Sequence, residues 1–122
     1  MCGIAGIIKK NNDKVNREEI QSISFQLIGY AGDAFSSFFQ AVDMARKGET
    51  EEAERLLKEG KAQLTKAHQT QTQLLTAEAC GEDIAYSVIL VHAQDHLMTT
   101  IMYERIAKEF IALYKERRGD YE

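Results

Sequence analysis

The sequence predicts an all-α protein that folds as an antiparallel, up-down-up bundle of three helices. The 122 residues include no proline and no tryptophan, and residues that favour helices are plentiful. Apolar residues recur at steps of three and four through three long segments. Only short connections separate these segments, so neighbouring helices should run in opposite directions.

The first helix is predicted from about Asn16 to Lys47. Asn16 followed by Glu19 has the spacing of a capping box, and Gly48 suits the position just after a helix C-terminus. Residues 1–15, before this helix, are expected to be a flexible N-terminal extension. The apolar positions of the helix are Ile20, Ile23, Leu27, Ile28, Phe35, Phe38 and Val42.

The second helix is predicted from Thr50, a residue type suited to an N-cap, to about Ala79. A turn containing Gly81 follows it. The apolar positions of this helix are Ala53, Leu56, Leu57, Ala62, Leu64, Ala67, Leu74 and Leu75.

The third helix should be capped by Ser87 and should end in the basic run 115–118, where cations suit the helix dipole. The bundle domain is thus predicted to span 16–118, with 119–122 as a tail. Two adjacent apolar flanks on this helix are too wide for one partner helix to cover, so self-association is expected. One flank holds Leu90, Leu97 and Ile101, and the other holds Val91, Met98, Met102, Ile106 and Leu113.

The charge pattern excludes some classes of function. The net charge of -4 is spread along the chain, which disfavours a nucleic-acid partner. No apolar stretch approaches the roughly 20 residues that span a bilayer, and no leader peptide is recognisable. Cys2 and Cys80 do not resemble a disulfide framework. We therefore expect a cytoplasmic protein with reduced cysteines and no direct insertion into a membrane.

Two histidines in the third helix are candidates for chemistry. His92 and His96 lie four residues apart, so they share a face at the edge of the apolar flank. A half-exposed imidazole can act as a nucleophile, and Gln94 could donate a hydrogen bond to a phosphoryl group carried there. Two alternatives stay open from spacing alone: ordinary boundary residues, or a zinc site, for which further ligands are not evident.

Two other residues do not suit their predicted places in a helix. Asp95 falls among apolar residues, where a carboxylate needs a proton, a cation or a metal ion unless it turns to solvent. Copies of Asp95 that met at a symmetry axis would attract a divalent cation such as Mg²⁺. Gly32 interrupts the first helix, which indicates close approach of another helix.

The segment Ile89-Leu90-Val91-His92-Ala93-Gln94-Asp95-His96-Leu97-Met98-Thr99-Thr100 resembles the signature of the IIA component of the lactose/cellobiose (chitobiose) phosphotransferase family. Segments 25–34, with Tyr-Ala-Gly-Asp-Ala, and 67–72 are similar to the first and second helices of that family. The resemblance covers the chain from about Arg17 to Lys115.

This resemblance implies a homotrimer in the form of a nine-helix bundle. It implies that His92 is phosphorylated on Nε2 by the histidine phosphocarrier HPr and passes the phosphoryl group to a cysteine of the cognate IIB protein. Asp95 would bind one Mg²⁺ per trimer at the threefold axis. His96 and Gln94 would be polar neighbours of the active histidine.

The implied function is that of a phosphocarrier for uptake of a disaccharide of the lactose, cellobiose or chitobiose type. The resemblance does not specify the sugar, because a IIA component does not contact it. The alternative from another class is a non-catalytic helical adaptor or regulator with the same fold.

Overall fold

The computed structural model describes residues 13–119, with side chains from residue 17 onward. This part of the chain forms three α-helices and no strand: α1 Asp13–Arg46, α2 Thr50–Ala79 and α3 Val88–Arg118. The predicted fold class is confirmed. Most of the predicted N-terminal extension and of the C-terminal tail lies outside the described residues.

Two helix starts differ from the prediction. The first helix begins at Asp13, so Asn16 lies inside α1 and does not cap it. The N-cap of α2 is Glu49, with Thr50 as the first helical residue. Ser87 is the N-cap of α3 as predicted, and its backbone is extended, but its side chain makes no capping hydrogen bond.

Glycines with positive φ end α1 and α2. Gly48 has φ 87°, and the Glu49 N–H donates to the Met44 carbonyl at 2.8 Å, which closes the last turn of α1. Gly81 has φ 89° and follows α2 in the same way. An L-residue with a side chain rarely adopts this conformation, so the predicted stop at Gly48 is confirmed with its physical reason.

Contacts between the ends of the helices establish the up-down-up topology. A guanidinium nitrogen of Arg118, at the end of α3, donates to the Arg46 carbonyl at the end of α1 at 2.6 Å. The Lys115 ammonium forms an ion pair with Glu54 in the first turns of α2. The C-terminal end of α3 therefore lies beside the end of α1 and the start of α2.

The core lies along α1, which packs against both other helices, whereas α2 and α3 contact each other much less. The predicted core residues Ile20, Leu27 and Phe38 have no exposed surface. Two predicted core residues are instead exposed, since Phe35 retains 38% and Leu75 54% of their accessible surface. The main buried cluster consists of Ile20, Leu27, Ala34, Phe38, Leu64, Ala67, Leu74, Ala77, Leu90, Ala93, Leu97 and Ala107.

Gly60 allows α2 to approach the buried ring of Phe38. A Cβ atom at position 60 would lie 2.6 Å from Cε1 and 2.8 Å from Cδ1 of this ring, closer than non-bonded carbon atoms pack. The sequence reasoning assigned close helix approach to Gly32, but the structure places it at Gly60.

An apolar face of α3 is left uncovered by the other helices of the described chain. Leu90 and Leu97 are buried against α1, as predicted for one flank. The other flank, which we call the open face, is exposed and consists of Val91, Met98, Met102, Ile106 and Leu113. This arrangement confirms that one partner helix cannot cover both flanks of α3.

None of the described helices combines the length and apolarity needed to cross a membrane. Cys80 is the residue that follows α2. Cys2 lies outside the described residues.

Candidate functional site

A pocket between α1 and α3 brings the predicted histidines together. Its volume is about 440 Å³. The lining residues come from two helices: Gly32 and Phe35 from α1, and His92, Asp95, His96, Thr99 and Thr100 from α3. The contribution of α3 follows from the helical period, since residues three, four and seven apart share one face.

The two histidine rings are in direct contact. Their centroids lie 4.6 Å apart, and the planes meet at 88°, so one ring presents its edge to the other. His92 is exposed and His96 is half-buried. The half-buried His96 ring therefore lies next to a His92 ring that is accessible from solvent. His68, the remaining histidine, lies on α2 in a separate polar groove.

The inner wall of the pocket is held by buried contacts. The hydroxyl of Thr100, which is 1% exposed, donates to the His96 carbonyl at 2.8 Å and lies 3.4 Å from the Ala31 carbonyl of α1. The Phe35 ring stacks on Tyr103 with centroids 4.6 Å apart, and burial raises the pKa of the Tyr103 phenol. These contacts join α1 and α3 directly beneath the histidines.

Asp95 lines the pocket and is exposed in the single chain. It lies beside the open face, so its expected neighbours Val91, Met98 and Met102 are themselves exposed. The carboxylate therefore meets water unless another copy of the chain covers it. Within residues 17–119, no group of three or more His, Cys, Asp or Glu side chains could hold a metal ion.

Gln94 is half-buried and does not line the pocket. It follows His92 by two residues, which is about 200° around a helix of 3.6 residues per turn, so it points away from the face shared by His92, Asp95 and His96. The structure thus brings three of the four predicted site residues together and places the fourth outside the pocket.

Sequence reasoning missed the contribution of α1 to this pocket. Phe35 was assigned to the core and Gly32 to a helix contact, yet both line the pocket. A Cβ atom at Gly32 would meet no atom of the described chain within 4 Å, so the predicted close approach is wrong for the chain itself. The signal in the sequence was Gly32 itself. Glycine is unfavourable inside a helix, so its presence there indicates either close packing or space kept free for a ligand or partner.

Comparison with known proteins decides the family. The model of the family described as PTS system, lactose/cellobiose specific IIA subunit, matches residues 22–115, which include every residue that lines the pocket. The chain belongs to this family. As a IIA subunit, it is a component of a sugar phosphotransferase system.

Characterised relatives of this IIA subunit are similar over nearly their whole length. The lactose-specific EIIA component of Staphylococcus epidermidis is 45% identical over 102 residues, which cover 84% of this chain and 98% of the relative. That of Streptococcus mutans is 46% identical over 101 residues, which cover 83% of this chain and 97% of the relative.

Solved IIA structures share the fold. The cellobiose-specific enzyme IIA from Bacillus anthracis has a TM-score of 0.80 and 40% identity, and the match covers 84% of this chain and 94% of that one. The IIA(chitobiose)–HPr complex of Escherichia coli has a TM-score of 0.69 and 28% identity, with 81% and 96% covered. The three-helix IIA architecture therefore applies to this chain.

Proposed function

We propose that this IIA subunit is a phosphohistidine carrier in the cytoplasm. His92 accepts a phosphoryl group from phospho-HPr and donates it to the active cysteine of the cognate IIB protein, in support of disaccharide uptake. The observation that carries the proposal is the exposed His92 ring, held against His96 in a pocket of the α1–α3 interface. A solved relative in complex with HPr supports the choice of donor.

In the first transfer, the lone pair of the neutral His92 imidazole, on Nε2, attacks phosphorus. The new N–P bond forms as the N–P bond to the donor histidine breaks, and the donor ring keeps the bonding electron pair. In the second transfer, the IIB thiolate attacks and forms an S–P bond while the His92 N–P bond breaks. Both steps mainly require that the attacking atom and the phosphorus be held close together and in line with the bond that breaks.

The surroundings of His92 suit this chemistry. His96 is close enough to donate a hydrogen bond to a phosphoryl oxygen, and the Thr99 hydroxyl lines the same pocket. Phe35 lines the pocket and keeps 38% of its surface exposed, so it offers an apolar wall to two different partner proteins in turn. Gln94 is a weaker candidate for phosphoryl contact, since it lies outside the pocket.

We also propose that three copies of the chain assemble through the open face into a nine-helix bundle. Met98 and Met102 retain 54% and 65% of their surface in the single chain, which is unusual for large apolar side chains in a row. A second and a third copy of α3 would cover these residues and leave no unpaired apolar flank.

In such a trimer, Asp95 would be the residue that holds one Mg²⁺ at the threefold axis. This role requires assembly, since each chain supplies one Asp95 carboxylate, which is exposed in the single chain. Oxygen ligands suit Mg²⁺, and the ion would offset the repulsion among three converging carboxylates.

The second candidate is a non-catalytic adaptor with the same fold, in which the histidines are structural. One experiment separates the two functions: purified protein is incubated with phosphoenolpyruvate, enzyme I and HPr, and its intact mass is measured at alkaline pH. The wild type should gain one phosphoryl group, about 80 Da, and His92→Ala should gain none.

His68→Ala is the matched control, because it removes a histidine that lies outside the pocket. This variant should be labelled like the wild type. His96→Ala should keep the label at His92 and acquire it more slowly. An unlabelled wild type would reject the carrier function and favour the adaptor.

A further inference from the structure

We propose that Gly32 keeps the His92 pocket open, so that a partner protein can bring its phosphoryl group or its nucleophile to His92. The proposal rests on the carrier function proposed above. It assigns to α1 a positioning role in the docking of the partner.

Nothing in the described part of the chain requires residue 32 to be glycine. It lies in the interior of α1, where glycine is less favourable than any residue other than proline. Its φ is not in the left-handed region that favours glycine. A Cβ atom there would meet no described atom within 4 Å, so alanine would fit without a clash.

A side chain at position 32 would instead occupy the pocket. Gly32 lines the same space as His92 and His96, and Phe35 lies one turn further along α1. In-line transfer requires the reacting atoms to come within about 3–3.5 Å of each other, so the donor residue must enter this space. A branched side chain on the α1 wall would compete with it for the same volume.

Gly29 provides an internal comparison. It also lies inside α1, is exposed, and would accept a Cβ atom with no described atom within 4 Å. It does not line the His92 pocket. The same substitution at positions 29 and 32 therefore changes helix propensity equally, but only the substitution at position 32 alters the pocket.

The test compares Gly32→Leu with Gly29→Leu in the full chain. The initial rate of transfer from phospho-HPr is measured over a range of phospho-HPr concentrations, together with the melting temperature and the mass in solution. We expect kcat/KM to fall about tenfold or more for Gly32→Leu, mainly through a higher KM, and to stay within about twofold for Gly29→Leu. Both variants should melt at or above the wild-type temperature, because leucine is the better helix former.

If the wild type is labelled, and so is a phosphoryl carrier, three results would still overturn the proposal for Gly32. One is normal transfer by Gly32→Leu. Another is an equal loss in both variants, which would indicate a general effect on α1. The third is a changed mass in solution for Gly32→Leu, which would assign Gly32 to packing between copies. An unlabelled wild type would instead reject the carrier function itself.

Discussion

Replacing Gly60 by alanine tests the close approach of α2 to α1. The added Cβ atom would lie 2.6 Å from Cε1 and 2.8 Å from Cδ1 of Phe38, whose ring has no exposed surface. Alanine improves helix propensity by about 1 kcal/mol, whereas overpacking of a core costs about 1–3 kcal/mol. Because the ring is enclosed on all sides, the cost should lie in the upper part of this range, about 2–3 kcal/mol, so we expect a net loss of about 1–2 kcal/mol in the free energy of unfolding.

The loss can be measured by urea unfolding, followed by circular dichroism at a fixed protein concentration. A fixed concentration is needed because assembly would add to the apparent stability. The midpoint should fall while the m-value stays unchanged, since the same surface is exposed on unfolding. A higher midpoint for Gly60→Ala would refute the reasoning, because the gain in helix propensity would then exceed any steric cost.

Two further variants make the interpretation specific. Gly29→Ala adds the same methyl group where no described atom lies within 4 Å, so it should raise stability by up to about 1 kcal/mol. Phe38→Leu removes the ring that the new Cβ atom would meet. In a double-mutant cycle, Gly60→Ala should cost less in the Phe38→Leu background than in the wild type.

Three other predictions concern assembly, metal binding and the buried charge. Met102→Asp should convert the proposed trimer to a helical monomer, as measured by light scattering with circular dichroism, and a persisting trimer would contradict assembly through the open face. Asp95→Asn should abolish the dependence of the trimer's melting temperature on Mg²⁺ and EDTA, and retained dependence would place the ion elsewhere. Glu104→Gln should lower the unfolding free energy by about 1 kcal/mol, because this 8% exposed carboxylate lies 3.7 Å from Lys61 and 3.4 Å from Lys108. An unchanged urea midpoint would mean that these ion pairs add no net stability.

Local features of the chain could be predicted from the sequence alone. The apolar period identified three helices, and Gly48 marked the end of the first, because helix formation and positive φ depend on neighbouring residues. Spacing also placed His92 and His96 on one face of α3, where the structure has them, but it assigned Asp95 to the apolar stripe and not to the pocket that it lines with them. The sequence also predicted that one apolar flank of α3 would stay uncovered, since a single partner helix can cover only one side of another helix.

The contribution of α1 to the pocket depended on tertiary structure. Phe35 follows the apolar period of α1 but stacks on Tyr103 at the pocket wall, and Gly32 leaves space where close packing was expected. Gly60, which the sequence analysis did not single out, is the glycine that the packing of the buried Phe38 ring requires, because a Cβ atom there would clash with the ring. Spacing along one helix determines which residues share a face. The rotation and separation of the partner helices determine what that face meets, and these arise only when all three helices pack together.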